Sequence, residues 1–286
     1  NMPASAQHMP DADHVGADKG LTLDLCQCSG CGLVQFDCEP VDYYRDVIRS
    51  GGYSTTMVEL RTRQYRHLIE KYHLEGKKFL EAGCGRGEFL KVLTSFPVKA
   101  YGIEHKSDLV EIARKDGLNV IRDFTERVDH VIGTEGPYDV FLSFNFLEHQ
   151  PDPVTMLRAI WNNLEDDAMG LITVPSFEYI MEHSSYYELI RDHIAYYTFD
   201  TLTSLMERCG FAVLEASMVN RDTLSLVVRK RPQMETENLL DCYVNLRSEM
   251  DTYMKYLKAW NKKVCMWGAS HQGFTLAATT SLGKNV

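Results

Sequence analysis

Three glycines recur at every second position in the stretch FLEAGCGRGEFL, residues 79–90. Glycine lacks a Cβ atom, so Gly83, Gly85 and Gly87 predict a tight turn whose backbone a ligand can approach closely. The dinucleotide fingerprint needs a further glycine where this chain has Glu88, and no Lys-Ser or Lys-Thr pair follows, as it does in phosphate-binding loops. The spacing therefore weakens both the dinucleotide and the nucleoside-triphosphate hypotheses.

Polar and aromatic side chains end the later apolar runs, at the positions where parallel sheets contact their ligands. Glu104 lies about 20 residues beyond the glycine loop, where a carboxylate typically binds the ribose hydroxyls. Asp123 could accept a hydrogen bond from an adenine amino group, and Phe124 beside it could stack on the ring. Asn145 ends a further apolar run and precedes the residues FLEH. These residue types predict a site for an adenosine group.

Apolar runs and helical periods alternate between residues 77 and 230, and they predict the elements that position these side chains. Runs such as VKAYGIE are typical of buried strands, whereas GEFLKVLTSF has the spacing of a helix. Strands that alternate with helices favour a mostly parallel sheet covered on both faces. The last two predicted strands have no helix between them, so one of them should be antiparallel. The predicted fold class is α/β, with a Rossmann-like sheet.

The composition narrows the class of protein further. The chain has 286 residues, of which 44% are hydrophobic, with a formal net charge of −10 and a pI of about 5.5. The acidic balance disfavours nucleic acid as a partner, and no apolar stretch reaches the roughly 18 residues of a membrane span. Eight scattered cysteines fit a reducing compartment, so we expect a cytoplasmic protein with neither nucleic-acid nor membrane partners.

Residues 77–230 resemble the class I S-adenosylmethionine-dependent methyltransferases. The resemblance rests on EAGCGRG, on the end of YGIE, on RDF and on FNFLEHQPDP. It implies S-adenosylmethionine as the cofactor. The cofactor-binding residues that it implies are Glu81, Gly83, Gly85, Glu104, Asp123, Phe124, Asn145, Phe146 and His149. For His149 a structural role, in which its hydrogen bonds anchor the loop, is the alternative.

The sequence LCQCSGCGLVQFD contains Cys28-x-x-Cys31, a spacing at which two thiolates can bind one tetrahedral Zn²⁺. A structural zinc site usually has four ligands, and the chain has no second Cys-x-x-Cys pair. Cys26 and Cys38 could take the remaining positions, although Cys26-x-Cys28 is a cramped chelate. We expect Cys28 and Cys31 to be the second half of a structural zinc site whose first half lies before residue 1. A pair of plain buried cysteines is the alternative.

The regions on either side of the glycine loop resemble the three-domain sugar C-methyltransferases of deoxysugar biosynthesis. That family has a small zinc-binding domain, a methyltransferase domain and a third, nucleotide-sugar-binding α/β domain. We predict a partial zinc-binding domain over 1–50 and the methyltransferase domain over 51–232. Residues 233–286 should form a helical connector and the incomplete start of the third domain, in which KVCMWG predicts a strand before a glycine turn and a helix.

The same resemblance implies a catalytic base in the segment after the fifth predicted strand. The family has Tyr-x-Glu-His there; His193 matches the base, Asp192 takes the place of the acid, and Ile190 replaces the tyrosine. His193 would remove a proton beside a keto group, and Asp192 would orient or charge-tune its imidazole. A linker tyrosine placed over the cofactor is a further family feature, for which Tyr53 is the candidate; a residue of a flexible linker is the alternative, which the sequence favours.

The departure at Ile190 leaves the reaction open, and His193 could also be a core histidine. C-methylation of a nucleotide-linked keto-sugar, or of a related small molecule, is the first hypothesis. The second is an O- or N-methyltransferase of a small metabolite. The third is a non-catalytic module, which would bind S-adenosylmethionine but never release S-adenosylhomocysteine.

Overall fold

A computed structural model of the chain describes residues 2–6, 10–17, 19–46, 53–234, 236–268 and 270–286. The chain forms two compact units, Asn1–Pro232 and Gln233–Val286. The helices within the described ranges are all too short or too polar to cross a membrane.

The first unit alternates strands and helices along most of its length. Its strands are β1 (Leu25–Gln27), β2 (Val34–Phe36), β3 (Lys78–Ala82), β4 (Lys99–Glu104), β5 (Asn119–Arg122), β6 (Tyr138–Phe144), β7 (Leu164–Pro175), β8 (Ala195–Tyr196), β9 (Phe211–Val219) and β10 (Thr223–Lys230). Its α-helices are α1 (Thr55–Tyr72), α2 (Glu88–Leu93), α3 (Ser107–Lys115), α4 (Pro153–Asn162), α5 (Phe177–Glu182) and α6 (Phe199–Arg208).

A seven-stranded sheet with the order β5-β4-β3-β6-β7-β10-β9 forms the centre of this unit. The strands from β5 to β7 pair in parallel, whereas β10 is antiparallel to both β7 and β9. The chain builds outward from β3 through β4 to β5 and then crosses to the other side of β3 at β6. The switch point at which such sheets bind ligands therefore lies between the carboxyl ends of β3 and β6. These features confirm the predicted Rossmann-like α/β fold.

The sheet is buried on both faces because its central strands are apolar at almost every position. Successive side chains enter opposite cores, as the two-residue period of a strand requires. Phe79 and Val140 pack with residues of α1, α2 and α3. Leu80 and Phe141, one position further along each strand, pack with residues of α4 and α6. The two helical layers hold the strand ends, and thus the loops that follow them, in fixed positions.

A second sheet of three short antiparallel strands has the order β1-β2-β8. It joins the cysteine-containing segment to the segment that follows β7. Phe36 of β2 packs edge-on against Tyr196 of β8, with ring centroids 5.5 Å apart. The described residues before 47 thus belong to the same compact unit as the methyltransferase-like region. The predicted domain boundary at residues 50 and 51 lies outside the described residues.

The second unit contains α7 (Glu237–Ala259), α8 (His271–Thr279) and a 3-10 helix at Ser281–Lys284. The connector helix and the helix after the glycine turn are both formed. The strand predicted over KVCMWG is wrong, because residues 262–268 form no regular element. A strand needs a second strand to satisfy its backbone hydrogen bonds, and the described residues of this unit supply none.

Candidate functional site

The loop between β3 and α2 holds all three of its glycines in the left-handed region of backbone conformation. The φ angles of Gly83, Gly85 and Gly87 are 67°, 60° and 80°. A Cβ atom on Gly83 would lie only 2.8 Å from the ring of Phe146. The backbone conformation therefore favours glycine at all three positions, and the close approach of Phe146 requires it at Gly83.

The carboxylate of Glu104, at the end of β4, is hydrogen-bonded to the glycine loop. Its Oε2 accepts from the Gly85 N–H at 3.0 Å, and its Oε1 accepts from the Lys106 N–H at 2.8 Å. Burial raises the pKa of Glu104, and these backbone hydrogen bonds oppose the rise. A carboxylate oxygen can accept two hydrogen bonds, so the fixed carboxylate can still bind a pair of hydroxyl groups.

Asp123 and Phe124 follow β5 and carry contacts that the sequence did not indicate. Asp123 Oδ1 accepts from the Phe124 N–H and is hydrogen-bonded to His130 Nε2, each at 2.8 Å. The Arg45 guanidinium lies 5.6 Å from the centroid of the Phe124 ring, and the Tyr44 ring meets the same ring edge-on. Sequence reasoning missed Arg45 and His130 because no local pattern marks either residue.

A narrow cleft of about 10 Å³ brings together five of the predicted cofactor residues. It is lined by Arg45, Gly83, Ile103, Glu104, His105, Asp123, Phe124, Thr125 and Phe146. Glu81 does not line this cleft, because its side chain is fully buried within β3. Tyr53, two residues before α1, is 53% exposed and does not line it either.

A second cavity, the His193 cavity, has a volume of about 290 Å³. It is lined by Ala6, Met57, Phe89, Asn145, Glu148, His149, Pro175, Ser176, Tyr179, Ile180, Glu188, Ile190, Asp192, His193, Asn220 and Asp222. Four predicted site residues, Asn145, His149, Asp192 and His193, therefore meet in one place.

Asn145, directly after β6, is held by both its main chain and its side chain. Its N–H donates to the Thr173 carbonyl at 2.8 Å, and the Thr173 hydroxyl donates to its Oδ1 at 3.2 Å. Arg61 donates to the same hydroxyl at 3.2 Å from a buried position, with its guanidinium 3.7 Å from the centroid of the Phe144 ring. The Asn145 amide is therefore fixed in the wall of the His193 cavity, although its φ is 49°.

His149 and His193 lie with their ring centroids 4.7 Å apart. His149 Nδ1 is 2.8 Å from the main-chain oxygen of Asp192. A carbonyl oxygen only accepts, so Nδ1 carries the proton and Nε2 is the acceptor. Burial lowers the pKa of His149, and burial together with His149 lowers the pKa of His193 well below its usual 6.5. Both imidazoles are therefore neutral near neutral pH.

Two groups of side chains have the chemistry of metal ligands. Atoms of Glu148, His149 and His193 lie within 4.8 Å of one another, and this is the one group of three such residues in the described part of the chain. Cys28 and Cys31 are both exposed, and the N–H groups of Cys31 and Gly30 lower the pKa of the Cys28 thiol. No third ligand joins the two cysteines within the described ranges, so by themselves they supply half of a tetrahedral zinc site.

The Asp192 carboxylate is bound by the N-terminal part of the chain. Its Oδ1 accepts from the Tyr43 hydroxyl at 3.0 Å, and its Oδ2 accepts from the Ala6 N–H at 2.7 Å. The side chain is 2% exposed. The sequence predicts that this carboxylate orients the His193 imidazole, whereas its hydrogen bonds among the described residues run to Tyr43 and Ala6.

Comparison with known proteins identifies the family. The methyltransferase domain family matches residues 57–216, more than half of the chain, and the chain belongs to that family. A solved S-adenosylmethionine-dependent methyltransferase from Clostridium acetobutylicum has a similar fold, with a TM-score of 0.50 and 11% identity. That similarity covers 61% of this chain and 92% of the solved one. The family match confirms the predicted methyltransferase domain, and the similar fold confirms the predicted class I methyltransferase fold.

Two ubiquinone biosynthesis O-methyltransferases are similar in sequence to part of the chain. The one from Thiobacillus denitrificans is 27% identical over 105 residues, which cover 35% of this chain and 45% of the relative. The one from Bordetella bronchiseptica is 34% identical over 90 residues, which cover 30% and 37%. The chain thus matches less than half of the length of either relative.

We predict that mild acid destabilises the first unit. The folded protein keeps His149 and His193 neutral, whereas the histidines of the unfolded chain bind protons below a pKa near 6.5. The unfolded state therefore binds more protons, and the free energy of unfolding should fall as the pH drops from about 7 towards about 5. Urea unfolding at several pH values measures this slope. The slope of the free energy of unfolding with pH should be smaller in His193→Gln than in the wild-type protein. It should be unchanged in His183→Gln, because the His183 side chain is exposed. Equal slopes in all three proteins would contradict a neutral, buried His193.

Proposed function

We propose that this chain binds S-adenosylmethionine in the cleft beside Gly83 and transfers its methyl group to a small molecule in the His193 cavity. The observation that carries the proposal is the meeting of five predicted cofactor residues in one cleft at the switch point of the sheet. Phe146 lines that cleft, and the preceding Asn145 lines the His193 cavity, so cofactor and acceptor would lie side by side. Methyl transfer between two bound molecules depends on such proximity.

In this proposal each part of the adenosine has a partner. The fixed Glu104 carboxylate would accept hydrogen bonds from the ribose hydroxyls, and Asp123 would accept one from the adenine amino group. The adenine ring stacks on Phe124, which requires Arg45 to move from its place over that ring because the cleft is narrow. The glycine loop lets the remainder of the cofactor approach the backbone.

Three further predictions, two about cofactor residues and one about location, are not supported by the lining of either cavity. Glu81 lies inside β3 and would act on the cofactor only through the loop that follows it. Tyr53 would have to leave its exposed position to cover the cofactor. A cytoplasmic location follows only from the scattered cysteines of the sequence.

Methyl transfer requires the protein only to position the acceptor and to remove its proton, because the methyl group of a sulfonium is already activated. The acceptor atom attacks the methyl carbon, the bond from that carbon to sulfur breaks, and sulfur keeps the electron pair as S-adenosylhomocysteine forms. The acceptor's proton goes to His193, which we propose as the general base. Its place in the wall of the cavity supports that role, and its imidazole is unprotonated near neutral pH, as a base must be. The lowered pKa also makes it a weaker base than a free histidine.

O-methylation of a small molecule is the first candidate reaction. The similar proteins from Thiobacillus denitrificans and Bordetella bronchiseptica are named O-methyltransferases. The described lining of the His193 cavity includes four acidic residues, Glu148, Glu188, Asp192 and Asp222, and no Lys or Arg. A diphosphate is usually bound by basic side chains, so a compact acceptor without phosphate fits this cavity best.

C-methylation of a nucleotide-linked keto-sugar, the first hypothesis from the sequence, is the second candidate. The position of His193 between β7 and β8 and the Cys28-x-x-Cys31 turn favour it. In this case the cavity would hold only the sugar ring, and the nucleotide would lie outside it. The two candidates are separated by S-adenosylhomocysteine release with a panel of hydroxylated small molecules and of nucleotide-linked keto-sugars.

We predict that Glu104→Ala loses cofactor affinity. The substitution removes two hydrogen bonds to a charged acceptor, each worth about 1.5–3 kcal/mol, so the Kd for S-adenosylmethionine should rise by one to several orders of magnitude. Calorimetric titration measures the change. Glu111→Ala, which removes an exposed carboxylate from α3, should bind like the wild-type protein. Unchanged affinity in Glu104→Ala would exclude Glu104 as the ribose ligand.

We predict that His193→Ala lowers turnover while the affinity for S-adenosylmethionine stays near normal. Loss of a general base typically costs on the order of 10²–10⁴ in rate, and the proposed cofactor contacts lie in the other cleft. His183→Ala, which removes an exposed histidine from the same segment, is the matched control. Wild-type turnover in His193→Ala would make His193 structural, and lost cofactor binding would place it in the cofactor site.

We propose that Cys28 and Cys31 bind a structural Zn²⁺ together with two further ligands. Protein produced in zinc-replete medium should contain about one zinc per chain by elemental analysis when all four ligands are present. Cys28→Ser should reduce the zinc content, whereas Cys242→Ser, which changes another exposed cysteine, should not. A full-length protein that contains no zinc would refute the proposal.

A further inference from the structure

Asp192 connects two parts of the molecule that are far apart in the sequence. Its carboxylate accepts hydrogen bonds from Tyr43 and from Ala6, which lie 149 and 186 residues away along the chain. Its main-chain oxygen accepts the Nδ1 proton of His149. Asp192 therefore links the N-terminal segment, through its side chain, to the His149 imidazole in the His193 cavity, through its main chain.

Further contacts join the same two parts. The Ile194 carbonyl accepts a hydrogen bond from the Phe36 N–H at 3.1 Å, and the Ile194 N–H donates to the carbonyl of Glu148 at 2.8 Å. The Arg191 guanidinium donates to the carbonyl of Glu39. The segment that carries His193 is thus bound on one side to the N-terminal segment and on the other to the turn that carries His149.

The hydroxyl of Tyr43 is suited to hold Asp192. Burial and the adjacent Asp192 carboxylate raise the pKa of Tyr43, so its hydroxyl stays protonated and donates. Asp192, whose carboxylate accepts this hydrogen bond, is 2% exposed, and water cannot easily replace a partner that is lost there. Removal of the hydroxyl should therefore displace Asp192 rather than leave it in place.

We propose that Tyr43 is a positioning residue of the His193 cavity, which acts by holding Asp192 so that the Asp192 carbonyl fixes the tautomer and orientation of His149 against His193. The proposal rests on the proposed role of His193, and it gives Asp192 a positioning role in place of direct contact with the base. A ring displaced by about 1 Å can cost up to about 10²-fold in rate.

The test is Tyr43→Phe, which keeps the ring and removes one oxygen atom. Long-range ¹H–¹⁵N spectra of the histidine rings, assigned with His149→Gln, report the tautomer of His149 without any acceptor. We expect the wild-type protein to show the Nδ1–H tautomer and Tyr43→Phe to shift the His149 ring signals. Tyr187→Phe, whose side chain is 67% exposed, should leave them unchanged. Unchanged His149 signals in Tyr43→Phe overturn the proposal, even if that variant is less stable to heat.

Turnover gives a second measurement, with the acceptor that releases most S-adenosylhomocysteine in the panel described above. Tyr43→Phe should lower kcat by about 10- to 100-fold without a change in the Kd for S-adenosylmethionine. Asp192→Asn should have a similar effect, and the double variant should lose no more than the more severe single variant, because both changes break one connection. Multiplicative losses overturn the proposal. A wild-type protein that turns over no acceptor refutes the proposed function, and the histidine spectra still decide the role of Tyr43.

Discussion

The packing of the Phe146 ring against Gly83 is the contact on which the geometry of the whole site depends. Because a Cβ atom on Gly83 would lie 2.8 Å from that ring, the glycine loop and the segment after β6 approach more closely than two ordinary residues can. Phe146 lines the narrow cleft, and its neighbour Asn145 lines the His193 cavity. One aromatic ring on one glycine thus sets the separation of the two places in which methyl donor and acceptor are proposed to lie.

The central sheet could be predicted from the sequence because each of its signals is local. Its strands are apolar runs long enough to recognise, and the missing helix between β9 and β10 marks the antiparallel end. The small sheet could not be predicted, because strands of two or three residues have no readable period and β2 finds its partner β8 far along the chain. The strand predicted at residues 262–268 was wrong although its local signal was clear. An apolar run favours a strand, but a strand also needs a neighbouring strand, which the run itself does not provide.

The positions of the residues that line the narrow cleft were easier to predict than those of the residues that line the His193 cavity, for the same reason. Gly83, Glu104 and Asp123 each lie at or just beyond the end of a parallel strand, so their order in the sequence gives their place in the sheet. The family resemblance assigns Asp192 to the acid position beside His193, but a place next to His193 in the chain does not fix the direction of the Asp192 side chain. The partners of Asp192 belong to a segment that only the folded structure brings near.

The hydrogen bond between Tyr43 and Asp192 also bears on how the protein is made. Asp192 leaves the ribosome 149 residues after Tyr43, which at about 5–20 residues per second is a delay of roughly 7–30 s. Throughout that interval the nascent β1-β2 hairpin has an unpaired edge, because β8 has not yet been synthesised. Closing so long a loop costs chain entropy before any of the contacts that stabilise the closed state can form. The His193 cavity is therefore expected to assemble late, after the parallel strands that carry the narrow cleft have been synthesised.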